Sequence, residues 1–239
     1  MFGVTAHHIK DTPTNFILNF KLLTAPETEV LKHLRKLKRK CATGLDNIPA
    51  CFLKDVCYVI AKPLTHVVNL SLTSGIVPNN LKLARISPIY KSEDRHSFDN
   101  YRPISILPVI SKVFEKCVHS QLMDYLESSN LLSSYQFGFR SKRSTELATA
   151  YFTDKIRQAM DKGEFTGAIY VDLSKAFDTI SHGTIISKLP QFGITGTSQD
   201  WLASYLFDRK QQVFNNLSYR HIIQSSVGSH KSLAVSTDI

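Results

Sequence analysis

The run Gly167-Ala168-Ile169-Tyr170-Val171 constrains this chain more than any other stretch. It carries no charged residue or side-chain amide for a solvent-facing side, so as a strand it has to be covered on both faces, which demands a sheet with helices packed on it. It delivers Asp172 at its end, where open α/β sheets place ligands. A helix is expected to restart around Lys175. Asp172 then has two readings, an N-cap for that helix or a ligand-facing carboxylate. Phe177 reads as core, and Asp178 as a first-turn acid complementing the helix dipole.

Helical periods elsewhere supply the cover. From Glu27, Val30, Leu31, Leu34 and Leu37 recur at three and four residues, with Lys32, Arg35, Lys36, Arg39 and Lys40 on the other faces. Gly44 is expected just beyond the end of that helix. A second helical stretch is predicted from Pro49 to Ser74, buried through Phe52, Leu53, Val56, Val59, Ile60, Leu64, Val67, Val68 and Leu72, broken near Pro63 and stopped by Gly75. Residues 109–127 and 146–161 repeat the pattern, the second through Leu147, Ala150, Tyr151, Ile156 and Met160, and Trp201, Leu202, Tyr205 and Leu206 share one more helical face. Ala84 to Lys91 and Tyr101 to Leu107 alternate like strands around the polar run Ser92 to Asn100, which predicts a hairpin with basic ends. Residues 1–26, interrupted by Pro13 and Pro26, read as a poorly ordered lead-in. Beyond Arg209 the chain is polar and short of periodicity.

Lys plus Arg number 29 against 20 for Asp plus Glu, a formal charge of +9 that points to a polyanionic partner. Cys41, Cys51, Cys57 and Cys117 match neither a C-x-x-C zinc pair nor a dense disulfide framework, and read as reduced thiols of an intracellular protein in cytoplasm or nucleus. No apolar stretch approaches the roughly 18 residues of a membrane span, and the start lacks the basic and apolar regions of a signal peptide. A phosphate loop, an H-E-x-x-H pair and a G-x-S-x-G turn are all missing from the sequence.

Five blocks occur in order: Ala42-Thr43-Gly44-Leu45-Asp46-Asn47-Ile48-Pro49; Ser87-Pro88-Ile89-Tyr90-Lys91; Asn100-Tyr101-Arg102-Pro103-Ile104-Ser105; Gln136-Phe137-Gly138-Phe139-Arg140 with Ser144-Thr145; and Val171-Asp172-Leu173-Ser174-Lys175-Ala176-Phe177-Asp178. Together, across residues 27–225, they resemble the reverse transcriptase domain of non-LTR (LINE-type, jockey-like) retrotransposons. The resemblance implies an α+β right-hand polymerase fold, here fingers and the first part of the palm. It also implies nucleotidyl transfer by Mg²⁺, with Mn²⁺ as the alternative ion, and RNA template, DNA primer and dNTPs as partners. By resemblance, Asp172 is the first metal-binding, catalytic aspartate, and the Leu173 carbonyl lies beside metal and nucleotide. Phe177 is the aromatic beneath the incoming sugar. Lys91 and Arg102 reach the triphosphate, as suits an ammonium and a fork of paired donors. Gln136, Gly138, Arg140, Lys142 and Arg143 lie near the template and nascent base pair. Without the resemblance, these basic residues read as solvated charges of a hairpin and a loop.

The match departs at its end. Where a glycine-proline-glutamine loop is expected soon after Ile223, the chain reads Ser225-Ser226-Val227-Gly228-Ser229, and it contains no Asp-Asp pair. The resemblance therefore implies a domain truncated before the second catalytic motif and the thumb, with residues 226–239 a divergent tail and the Asp172 strand left with an open edge. The expected parent protein is an RNA-directed DNA polymerase, of which this fragment is inactive. The alternatives are a non-catalytic basic nucleic-acid-binding module and a non-functional remnant. The oligomeric state stays open.

Overall fold

The structure, a computed structural model, describes residues 18–97, 100–172, 180–213 and 221–224. In chain order its elements are α1 (Glu27–Arg35), α2 (Ala50–Asp55), α3 (Cys57–Ser74), β1 (Leu83–Tyr90), β2 (Tyr101–Ile106), α4 (Ser111–Ser128), α5 (Thr145–Asp161), α6 (His182–Lys188), α7 (Gly196–Leu206), β3 (Lys210–Val213) and β4 (His221–Gln224). They fall into a larger unit drawn from residues 17–125 and 175–236, and a smaller one containing residues 126–174.

The core of the larger unit forms where helical stripes meet. α1 contributes Val30 and Leu34, with Glu27 and Glu29 in its first turn and basic residues in its last, the order its dipole favours. Each of those aliphatic side chains stabilises the fold by about 1.5–3 kcal/mol through burial. α4 adds Val113, Phe114 and Cys117, and α7 adds Trp201. The predicted long helix exists as α2 and α3, but it breaks at Val56 (φ −96°, ψ 12°) and runs on through Pro63. Its buried seam is Leu53, Cys57, Ala61, Val68 and Leu72, with Leu64 half-buried against it, while Phe52, Val59 and Val67 are exposed. Helix-to-helix approach selects the small residues at Cys57 and Ala61 over the bulkier apolar neighbours.

Gly44 does not cap α1, which ends at Arg35 with Lys36 as its C-cap. A Cβ at Gly44 would lie 2.6 Å from Pro108 N and 2.8 Å from the Leu107 carbonyl carbon, so glycine is required there by backbone approach. Residues 18–26 also differ from the expected loose lead-in. Phe20, Leu22 and Ala25 enter the core, and Phe20 N–H donates to Gly193 O at 2.8 Å.

The sheet has the order β2-β1-β3-β4. β1 pairs antiparallel with β2 and parallel with β3, and β3 pairs antiparallel with β4. The predicted hairpin is therefore present, whereas β3 and β4 lie in the stretch that periodicity left irregular. Pro88 and Pro103 face each other across the hairpin. Lys91 N–H donates to Asn100 O at 2.8 Å, so by strand alternation the odd residues of β1 donate toward β2. The proline pair thus occupies a rung where neither strand needs an N–H from the other.

In the smaller unit, Ser144 caps α5 by accepting from Leu147 N–H at 3.3 Å. α5 forms as predicted, yet no residue on it is buried. The expected central strand is not formed. Residues 164–172 are irregular and exposed, Ile169 at 92%, because no described strand of this unit offers a ladder partner. The helix expected around Lys175 lies outside the described residues.

Candidate functional site

The hairpin positions Lys91 and Arg102. Arg102 stands opposite Ile89, and Lys91 opposite Asn100, so both basic residues share one sheet face as diagonal neighbours about 7 Å apart at Cβ. That face is the outer one. Ala84 and Ile86 point to the core, while Ile89, Ile104, Arg102 and Lys91 are exposed. The opposite face at the tip carries Tyr90 and Tyr101, their rings 5.6 Å apart. Tyr90 Oη donates to Glu93 O, and Arg95 lies over the Tyr90 ring at 5.1 Å. Asn100 Nδ2 donates to Asp94 O at 2.9 Å, and Tyr101 Oη donates to Arg95 O at 2.9 Å. These bonds fold the connecting loop back on the strands that carry the two cations.

Gln136, Gly138, Arg140, Lys142 and Arg143 come together in one loop of the smaller unit. Arg140 is turned inward. Its Nε donates to Glu127 Oε1 at 2.8 Å, Nη2 to Oε2 and Nη1 to Ser133 O at 2.7 Å. This fork holds the Glu127 carboxyl below the usual carboxylate range, chiefly by the hydrogen bond from Arg140. Arg143 lies over the Phe137 ring at 5.3 Å, and Phe137 in turn lies 6.0 Å from Tyr151. Gln136, Gly138 and Lys142 are exposed, and Lys142 sits at φ 59°. The loop therefore offers an exposed lysine and a ring-supported arginine, while Arg140 shapes it. Nothing in the sequence marked Glu127 as the partner of Arg140, since the pair is separated by thirteen positions and an irregular turn.

Asp172 is exposed in the smaller unit, at the end of the irregular segment. Leu173 and Phe177 lie outside the described residues. A second polar group that periodicity did not reveal links α4, α7 and the residue just before β3 in the larger unit. Tyr205 Oη donates to Glu115 Oε1 at 3.0 Å, and Arg209 donates from Nη1 to Tyr205 O at 2.9 Å while stacking 4.6 Å over the Tyr205 ring. Burial pushes the Glu115 carboxyl up, against the opposing pull of the Tyr205 hydrogen bond and the Arg209 charge.

Residues 89–229 match the reverse transcriptase (RNA-dependent DNA polymerase) family. The chain is 30% identical over 91% of its length to the probable RNA-directed DNA polymerase from transposon BS of Drosophila melanogaster, covering 24% of that protein. It is 29% identical over 83% of its length to the corresponding X-element protein, covering 22% of it, and 28% identical over 72% to the RNA-directed DNA polymerase from mobile element jockey, covering 19% of it, both from the same fly. The chain belongs to the reverse transcriptase family, in its LINE-type, non-LTR branch. Membership implies a polymerase fold of palm and fingers, in keeping with the mixed helices and small sheet. The chain spans about a quarter or less of the length of these curated relatives.

The family generally uses divalent metal ions. Asp172 offers one exposed carboxylate, and among the described residues it belongs to no group of three convergent His, Cys, Asp or Glu side chains. The described residues do not make up a magnesium centre, which needs several converging oxygens. Among the described residues no helix is long and apolar enough to cross a membrane.

Proposed function

We propose that the parent protein is the RNA-directed DNA polymerase of a LINE-type retroelement, and that this chain supplies the fingers hairpin and first part of the palm within residues 27–225. The observation that carries the reading is the register of β1 and β2, which sets Lys91 and Arg102 on one exposed face beside Ile89 and Ile104. Two cations serve the phosphates of a dNTP, and the apolar side chains beside them suit a base or sugar. In the parent, Mg²⁺, or Mn²⁺ in its place, is the ion this chemistry requires. Asp172 would hold that ion as one of its carboxylates, and the family pattern gives Leu173 a role beside the metal and nucleotide and Phe177 a role toward the incoming sugar. The basic loop at Lys142 and Arg143 serves the template, and an RNA template with a DNA primer places the work in cytoplasm and nucleus. With one such carboxylate, this chain alone supports no synthesis.

The test is equilibrium binding of a fluorescent dNTP to the full chain. K91A and R102A should each weaken binding by about 10-fold or more, as loss of a charged hydrogen bond does. Wild-type affinity in both variants would overturn the reading. Asp172-dependent primer extension by this chain would overturn the claim of inactivity.

A further inference from the structure

We propose that Glu29, His33 and Cys117 form a binding site for a zinc-class divalent cation that ties α1 to α4, separate from any nucleotidyl-transfer metal. Glu29 and His33 stand four residues apart on one face of α1, and Cys117 comes from α4. Their ligand atoms all lie within 4.8 Å of one another. Tetrahedral zinc wants its ligands about 3.5 Å apart, a distance within reach of small side-chain rotations.

The imidazole is what points to a ligand. Both ring nitrogens of His33 are shut off from water and neither makes a hydrogen bond. Nε2 faces Glu29 Oε1 at 3.5 Å but outside hydrogen-bonding geometry. Ring nitrogens shut off from water with no hydrogen bond, and only this ion-pair approach beside them, are rare and cost free energy, which coordination would recover. Burial favours the neutral form of the ring that binds metal, against the opposing pull of the Glu29 carboxylate.

The other two ligands fit the same cation. Cys117 is buried, and its thiol is pushed up to about 12 by burial and then by the Glu29 charge. A bound dication reverses that preference, taking the thiolate and releasing the proton to solvent. The carboxylate, the thiolate and the neutral imidazole then cancel the charge of the ion, which suits a site at the edge of the core. Ser120 Oγ lies 3.1 Å from Glu29 Oε1, within reach of its one proton, which the Lys116 carbonyl at 2.8 Å also accepts. One sulfur, one nitrogen and one oxygen select zinc over magnesium or calcium. Glu29 is partly exposed, so water can complete a fourth position.

The experiment uses the full chain stripped with a chelator, then titrated with Zn²⁺ against a chromophoric competitor and, separately, with Co²⁺. One ion per chain, thiolate-to-cobalt charge transfer, and a thermal midpoint that rises with Zn²⁺ are expected. C117S, H33Q and E29Q should each lose about 10-fold or more in affinity. E29Q, at the exposed rim, keeps the test sharp if the buried variants fold poorly. A cobalt complex without charge transfer, no ion retained by the wild-type chain, or unchanged affinity in E29Q overturns the proposal.

Discussion

The indole Nε1 of Trp201 donates to Ser71 Oγ at 3.0 Å, and the same hydroxyl donates to Ile76 O at 2.6 Å. One small side chain thereby satisfies a buried ring on α7 and the backbone just past the end of α3. W201A should destabilise the chain by about 3–5 kcal/mol through lost burial and a cavity. S71A should cost about 1–3 kcal/mol, because it leaves the indole N–H without a partner. Urea denaturation of both, with the double variant, checks this. Strict additivity would count against the shared hydrogen bond.

The Arg140–Glu127 fork predicts a pH response of the loop that carries it. Hydrogen bonding holds the folded Glu127 below its unfolded value of about 4.3, so the contribution of the fork is complete above that pH and disappears as pH falls through the folded value. Amide-exchange protection around residues 137–143, corrected for intrinsic rates, should fall between about pH 5 and pH 3. E127Q should show the loss already at neutral pH. Equal protection in E127Q and wild type at pH 7 would contradict the account.

His182 predicts the opposite limb of the same linkage. It is buried on α6, edge-on to Phe207 at 6.0 Å, and burial followed by the Arg209 charge lowers its pKa. The unfolded chain therefore binds this proton more readily than the folded one, so stability declines as pH drops through about 6.5. The denaturation midpoint of wild type should fall more steeply than that of H182Q between pH 8 and pH 5.5. Parallel pH profiles would refute this.

Two glycines separate packing from recognition. G44A drives a methyl into the backbone at Leu107 and Pro108 and should cost about 1–3 kcal/mol. At Gly138 a Cβ meets nothing within 4 Å, so G138A should stay within about 0.5 kcal/mol of wild type. Thermal melts of the two variants make the comparison, and a larger loss in G138A than in G44A would reverse it.

What could be read in advance follows the range of the forces involved. The hairpin, α1, α4 and α5 were legible because alternation and helical period are local, and Val30, Leu34, Val113 and Phe114 are buried as their spacing requires. β3 was not legible, since it has four residues, three of them polar, and Gln212 is buried only because β1 lies beside it. The run through Ile169 shows the reverse error. An apolar stretch announces a need for neighbours but cannot supply them. At the candidate site, the common face of Lys91 and Arg102 followed from strand parity alone, whereas the inward turn of Arg140 depended on Glu127 across a loop.

The facing prolines of the hairpin have a mechanical consequence. Even-numbered residues of β1 donate toward β3, so Pro88 offers no donor on that side, and Pro103 withholds a donor from the outside of β2. The arm is a cantilever, clamped at its root where β1 pairs with both β2 and β3. At that level each flank lacks one donor for a further strand, which favours keeping the tip bearing Lys91 and Arg102 as a working end.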